Sequence, residues 1–117
     1  MVKQNNVIKE KSFRFALNII DLYRKMKKDG EYVISKQLLR SGTSIGANIE
    51  ESIAAQSRKD FINKLSIASK ESRETKYWLQ LLDKSDHFNY NLSQYIFDID
   101  EIVRILSSIV KTLTSKN

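Results

Sequence analysis

Apolar side chains recur along this chain at alternating steps of four and three, the spacing that lays one row along a helix face. In segment 58–84 the row is Phe61, Leu65, Ala68, Ser72, Thr75, Leu79 and Leu82. Segment 91–116 repeats it as Leu92, Ile96, Ile99, Val103, Leu106, Val110 and Leu113, all apolar over about six turns. Segment 6–29 is apolar at Phe15, Ile19, Leu22 and Met26, and Phe13, Ala16, Leu17, Ile20 and Tyr23 widen that face. Through 32–55 the rhythm is kept by Ile34, Leu38, Ile45, Ile49 and Ile53, with Ser41 or Gly42 filling the gap. The pattern predicts four amphipathic helices at about 6–29, 32–55, 58–84 and 91–116.

The second of these contains RSGTSIGANIEES, residues 40–52, with two of the chain's three glycines. A phosphate-cradling loop needs GxxxxGK[ST] after a buried strand. No strand precedes this stretch and no lysine follows Gly46, so the stretch reads as helix. Glycine inside a helix costs roughly 1 kcal/mol against alanine, a cost that usually has a packing reason. Gly42, Gly46 and Ala47 are therefore expected to admit a close neighbour, with Tyr77 and Trp78 as candidates.

The junctions support the same division. Asp29-Gly30 ends the first helix with a residue suited to the left-handed conformation. Ser57-Arg58-Lys59-Asp60 matches a capping box, and Asn91-Leu92-Ser93-Gln94 is expected to act alike. Short connections make consecutive helices antiparallel neighbours, so the expected architecture is all-α: an up-and-down antiparallel four-helix bundle. The length of 117 residues fits one domain, 1–117, and the absence of proline fits helices joined by short loops.

Cysteine is absent, which excludes disulfides, a thiolate nucleophile and a Cys-type zinc site; the expected compartment is the reducing cytoplasm. No run reaches the roughly 18 apolar residues of a membrane span, and MVKQNNVIKEK is charged with no apolar stretch behind it, so no secretory leader is expected. The one histidine, His87, falls in a predicted loop, where it is expected to be solvated. Ser66, Ser69, Ser72 and Thr75 line the third helix without a histidine spaced to activate them, so no catalytic residue, cofactor or small-molecule substrate is expected. Glu50, Glu51, Glu71 and Glu74 lack the Glu-x-x-His pairs of a di-iron bundle, so no metal site is assigned to them.

Arg40, Ser44, Asn48 and Glu51 recur at steps of three and four and share one flank of the second helix, while Glu71 and Glu74 are neighbours on the third. One reading is a half-buried network in which Arg40 donates to Glu71 or Glu74, Asn48 completes the hydrogen bonds, and Ser72 and Thr75 form a polar layer facing Asn48 and Arg40. The other makes the flank a docking site for an anion or peptide.

SKQLLRSGTSIGANIEES (35–52) and DFINKLSIASKESRETKYWLQLL (60–82) resemble the bacterial four-helix bundle proteins encoded in intervening sequences of 23S ribosomal RNA genes. Arg40, Ser41, Ser44, Ile45, Asn48, Ile49 and Glu51 match the family's RSxxSIxxNIxEG pattern, from which Ser52 departs, and Glu71 replaces a small residue common in some branches. The resemblance covers nearly the whole chain. It implies an up-and-down bundle, ring-shaped pentamers among some members, and no catalytic residues to carry over.

Charge adds a functional clue. Residues 1–30 hold eight basic and three acidic residues, and 58–84 hold seven and four, whereas 31–57 and 85–117 each carry one net negative charge. In an up-and-down bundle the two basic helices are diagonal, so one copy shows no continuous basic face. A ring of copies would gather Arg24, Lys25, Lys27 and Lys28 at one rim, where a phosphate backbone is attracted with steep salt dependence. A pI near 9.6 can equally serve solubility alone. Beyond its seven-position row the fourth helix carries Tyr95, Phe97, Ile102, Ile105 and Ile109, more apolar surface than one seam buries. With Phe13, Phe15, Ile19 and Ile20 of the first helix, these predict a homo-oligomer closed by first-to-fourth helix contacts. Two functions follow as expectations: a non-catalytic oligomer binding RNA or DNA through a basic rim, or a scaffold docking a protein on the Arg40 to Glu51 flank.

Overall fold

Four helices form where the apolar rows place them: α1 (Val2–Lys28), α2 (Ile34–Ile53), α3 (Arg58–Lys84) and α4 (Ser93–Thr114). The computed structural model describes residues 2–86 and 88–115, with side chains from Val7 onward; His87 lies outside them. There is no strand among the described residues. Each helix packs on two neighbours, α1 with α2 and α4, and α3 with α2 and α4, leaving α1 diagonal to α3. The molecule measures 48 × 21 × 21 Å, one helix long and two across. Among the described residues no helix is long and apolar enough to cross a membrane.

Local chemistry sets the joints. Gly30, at φ +93°, reverses the chain after α1, and the amides of Gly30 and Glu31 bond back to the carbonyls of Lys27 (3.1 Å) and Met26 (2.8 Å). This doubly bonded ending uses the left-handed conformation that glycine adopts freely. The Ser57 side chain accepts from the Asp60 amide at 3.0 Å, the expected start of α3. At α4 the expected box does not form. Asn91 accepts from the Ser93 amide at 3.2 Å, and Gln94 turns forward to Asp98 instead of reaching back. Asx side chains favour that two-residue turn.

A cap the sequence did not announce starts α2. Glu31 lies nearly buried, and its carboxylate accepts from the amides of Val33 (3.1 Å), Ile34 (3.0 Å) and Ser35 (2.5 Å). Burial pushes the carboxyl up, but these amides and the Ser35 hydroxyl outweigh it and hold the group below its ordinary value.

The core is one cluster in which Phe15, Ile19, Leu22 and Met26 meet Leu38, Ile45 and Ile49, with Leu65, Leu79 and Leu82 across from Ile99 and Leu106. Small hydroxyl residues fill the gaps. Ser12, Ser35, Ser41, Ser52, Ser72 and Thr75 are buried, and each bonds a carbonyl of the preceding turn. They act as near-alanine spacers that satisfy themselves.

The glycines of α2 do admit a close neighbour, but it is α1 and not Tyr77 or Trp78. A Cβ on Gly42 would stand 3.1 and 3.2 Å from the Ile19 side chain, and one on Gly46 would stand 3.4 Å from the Ser12 hydroxyl. Tyr77 is exposed on α3, and Trp78 packs beside it edge to face at 5.3 Å. The two glycines therefore predict different outcomes. Gly46→Ala meets only ordinary contacts and gains up to about 1 kcal/mol of helix propensity, so its thermal midpoint should rise by several degrees. Gly42→Ala forces the buried Ile19 to move, which cancels the gain. Circular dichroism melts of the two variants check the contrast; equal shifts would remove it.

Candidate functional site

The polar flank of α2 divides in two. Arg40 spans to α3, donating to Glu71 at 3.2 Å and, in a closer pair, to Glu74. Glu74 also accepts the Trp78 indole N–H at 3.1 Å. Burial raises the Glu74 carboxyl, but the Trp78 and Arg40 donors with the Arg40 and Lys70 charges hold it below its ordinary value. The guanidinium is therefore closed on two carboxylates, which makes it a strap between α2 and α3.

The rest of the expected network turns away. Ser44 bonds the Arg40 carbonyl at 2.6 Å and Asn48 the Ser44 carbonyl at 2.9 Å, so neither reaches Glu71 or Glu74. Glu51 is exposed. The polar layer of α3 faces Ser41, whose hydroxyl lies 2.9 Å from that of Thr75, in place of Asn48 and Arg40. The reason is geometric: Ser41 lies on the buried row, whereas Arg40, Ser44 and Asn48 lie beside it. Glu50 pairs with Lys9 at 3.8 Å, and no group of three or more His, Cys, Asp or Glu comes together among the described residues.

At the end of α1, Arg24, Lys25, Lys27 and Lys28 are all exposed and none is in an ion pair among the described residues. The Lys27 ammonium lies 5.9 Å from the Tyr23 ring centre. Several cations of α3 are committed elsewhere: Lys76 to Asp100 at 2.8 Å, Arg58 to the Leu113 carbonyl at 3.2 Å and Arg73 to the Ser69 hydroxyl at 2.8 Å. Of the two basic helices, α1 thus ends in the denser free cluster. Tyr90 anchors the α3–α4 connection there through Asp29 and the Lys25 carbonyl. Burial and the Asp29 carboxylate push its hydroxyl up to about 12.

The residues expected at an intersubunit surface separate sharply. Phe15, Ile19, Ile102 and Ile109 are at most 2 % exposed and belong to the core of a single copy. Tyr95 and Ile105 are half-buried against it. Phe13 and Phe97, at 63 % and 62 % exposed, do face solvent. The correction has one cause: α4 turns its Ile102 and Ile109 row into the bundle and leaves Val103 and Val110 half-buried, because α1 and α3 flank it on both sides. Leu17 and Ile20 belong to the wide apolar face of α1, whose buried and exposed edges spacing alone does not separate. Both are exposed, and with Phe13 they form an outward row at i, i+4 and i+7.

No curated protein matches this chain. A solved structure of a protein of unknown function from the S23 ribosomal protein family of Bacteroides thetaiotaomicron is similar to it, with 51% sequence identity, a TM-score of 0.84, and coverage of 92% of this chain and 98% of that one. The description of the 23S rRNA-intervening sequence proteins matches residues 4–108. The fold, the α2 motif and this match agree: the chain belongs to the 23S rRNA-intervening sequence protein family.

Proposed function

We propose that this protein is a non-catalytic oligomer that binds RNA or DNA through cations gathered at one rim. The observation that carries the reading is the continuity of one row on α1: exposed Phe13, Leu17 and Ile20 run, at the same spacing, into Arg24 and Lys27. Copies that bury the apolar half of this row bring the basic half of each into one region. Three large apolar side chains in water on one row favour such burial. A closed ring, of five copies by the family resemblance, multiplies the phosphate contacts without any further cation. The buried hydroxyls of α3 support a non-catalytic reading, because Ser72 donates to the Ser69 carbonyl and Thr75 to the Glu71 carbonyl and the Ser41 hydroxyl.

Sedimentation and RNA binding test the two halves. Phe13→Asp with Leu17→Asp is expected to leave a folded helical monomer and weaken binding to random RNA. Charge reversal at Lys25, Lys27 and Lys28 should keep the assembly and flatten the slope of log affinity against log salt by about two for each copy that engages the strand. A parent protein that sediments as a monomer at micromolar concentration, or a salt slope near zero, would overturn the reading.

A further inference from the structure

The end of the bundle that carries the free cations also carries aromatic rings. Tyr23 lies under Lys27, and Tyr90, held by Asp29, stacks on Phe88 with ring centres 6.2 Å apart and planes 15° from parallel. Tyr32 stands in the turn after Gly30, 58 % exposed, beside the still more open Val33. Folding explains part of this end. Cations at a helix C-terminus are favoured by the macrodipole. The same effect does nothing for a tyrosine ring left mostly in water. The two acids of the turn are already engaged, Asp29 by Tyr90 and Glu31 by the amides that open α2. What remains open to a ligand at this end is the positive charge that closes α1 and, four residues after Lys28 in the chain, the mostly exposed ring of Tyr32.

Resting on the nucleic-acid reading above, the geometry points to single-stranded nucleic acid as the ligand of this end, with Arg24, Lys25, Lys27 and Lys28 taking phosphates and Tyr32 stacking an unpaired base. A duplex offers the same phosphates but keeps its base faces stacked inside. Only a single strand can use both features. Neither contact calls on the 2′-hydroxyl, so ribose and deoxyribose strands both qualify.

The test measures anisotropy of a labelled mixed-sequence strand, its duplex, and an abasic strand of equal length, each as RNA and as DNA where the chemistry exists. The parent protein should bind the base-bearing strand on the order of tenfold more tightly than the abasic one. Tyr32→Ala should remove that advantage while leaving duplex and abasic binding as they were, and Tyr32→Phe should keep it; the arm that shows the loss names the preferred sugar. Circular dichroism confirms that each variant is folded. The inference is overturned if the parent binds base-bearing and abasic strands equally, or if Tyr32→Ala binds all of them as the parent does. In that case binding that still disappears on charge reversal at Lys25, Lys27 and Lys28 leaves the broader reading standing, whereas a parent that binds no strand at all removes both.

Discussion

Replacing Ile102 with alanine should lower the free energy of unfolding by about 2–5 kcal/mol. Ile102 is 1 % exposed and sits in the cluster that joins all four helices. Removing its branched side chain forfeits the transfer of the lost methyl groups and leaves a void that Leu106 and Phe15 can refill only by shifting. Phe97, five residues earlier on the solvent side, supplies the control. Its truncation should stay within about 0.5 kcal/mol in a single copy. Urea unfolding followed by circular dichroism checks both. An Ile102→Ala midpoint indistinguishable from that of the parent would return this residue to the surface.

Glu31→Ala should cost about 2 kcal/mol, since three amides at the head of α2 lose a charged acceptor together. The effect depends on pH in a definite direction. The folded-state carboxyl gives up its proton more readily than the unfolded one, whose ordinary value is 4.5. Its contribution is therefore complete above about that pH and is lost as the pH falls through the lowered folded-state value. Glu31→Gln keeps an oxygen acceptor without the charge, so it should be less stable than the parent at neutral pH and approach it in acid. Urea midpoints collected from neutral pH downward check the sign; parallel curves for parent and Gln variant would show that the carboxylate is not what holds the turn.

Much of this fold is legible in the sequence because its rows are distinct. Leu65, Ala68, Ser72, Thr75, Leu79 and Leu82 are the buried row of α3 as their spacing predicts, and Ser57 caps where its sequence says it should. Legibility fails where the signal is degenerate. On α4 both Ile96, Val103 and Val110 and Ile102, Ile105 and Ile109 are apolar, so periodicity alone has no way to choose which flank turns fully inward. Gly42 and Gly46 declare that something comes close without saying what, since a missing side chain carries no address. Glu31 is invisible as a cap because glutamate is not a usual residue for the role and it lies three positions ahead of the helix. Arg40 with Glu71 and Glu74 was readable as charge complementarity across two helices; Asn48 and Ser44 were not, because a polar side chain can always satisfy itself on its own backbone.

The contact of Gly42 with Ile19 and of Gly46 with Ser12 also works as a ratchet between α1 and α2. If α2 slid one turn in one direction, Gly42 would face Ser12 and Leu38 would be driven onto Ile19. Sliding the other way would put Gly46 at Ile19 and force Glu50 against the α1 backbone at Ser12. Either displacement keeps one notch filled and jams the other, so the hairpin has a single vertical alignment, and it is the atoms left out of α2 that select it.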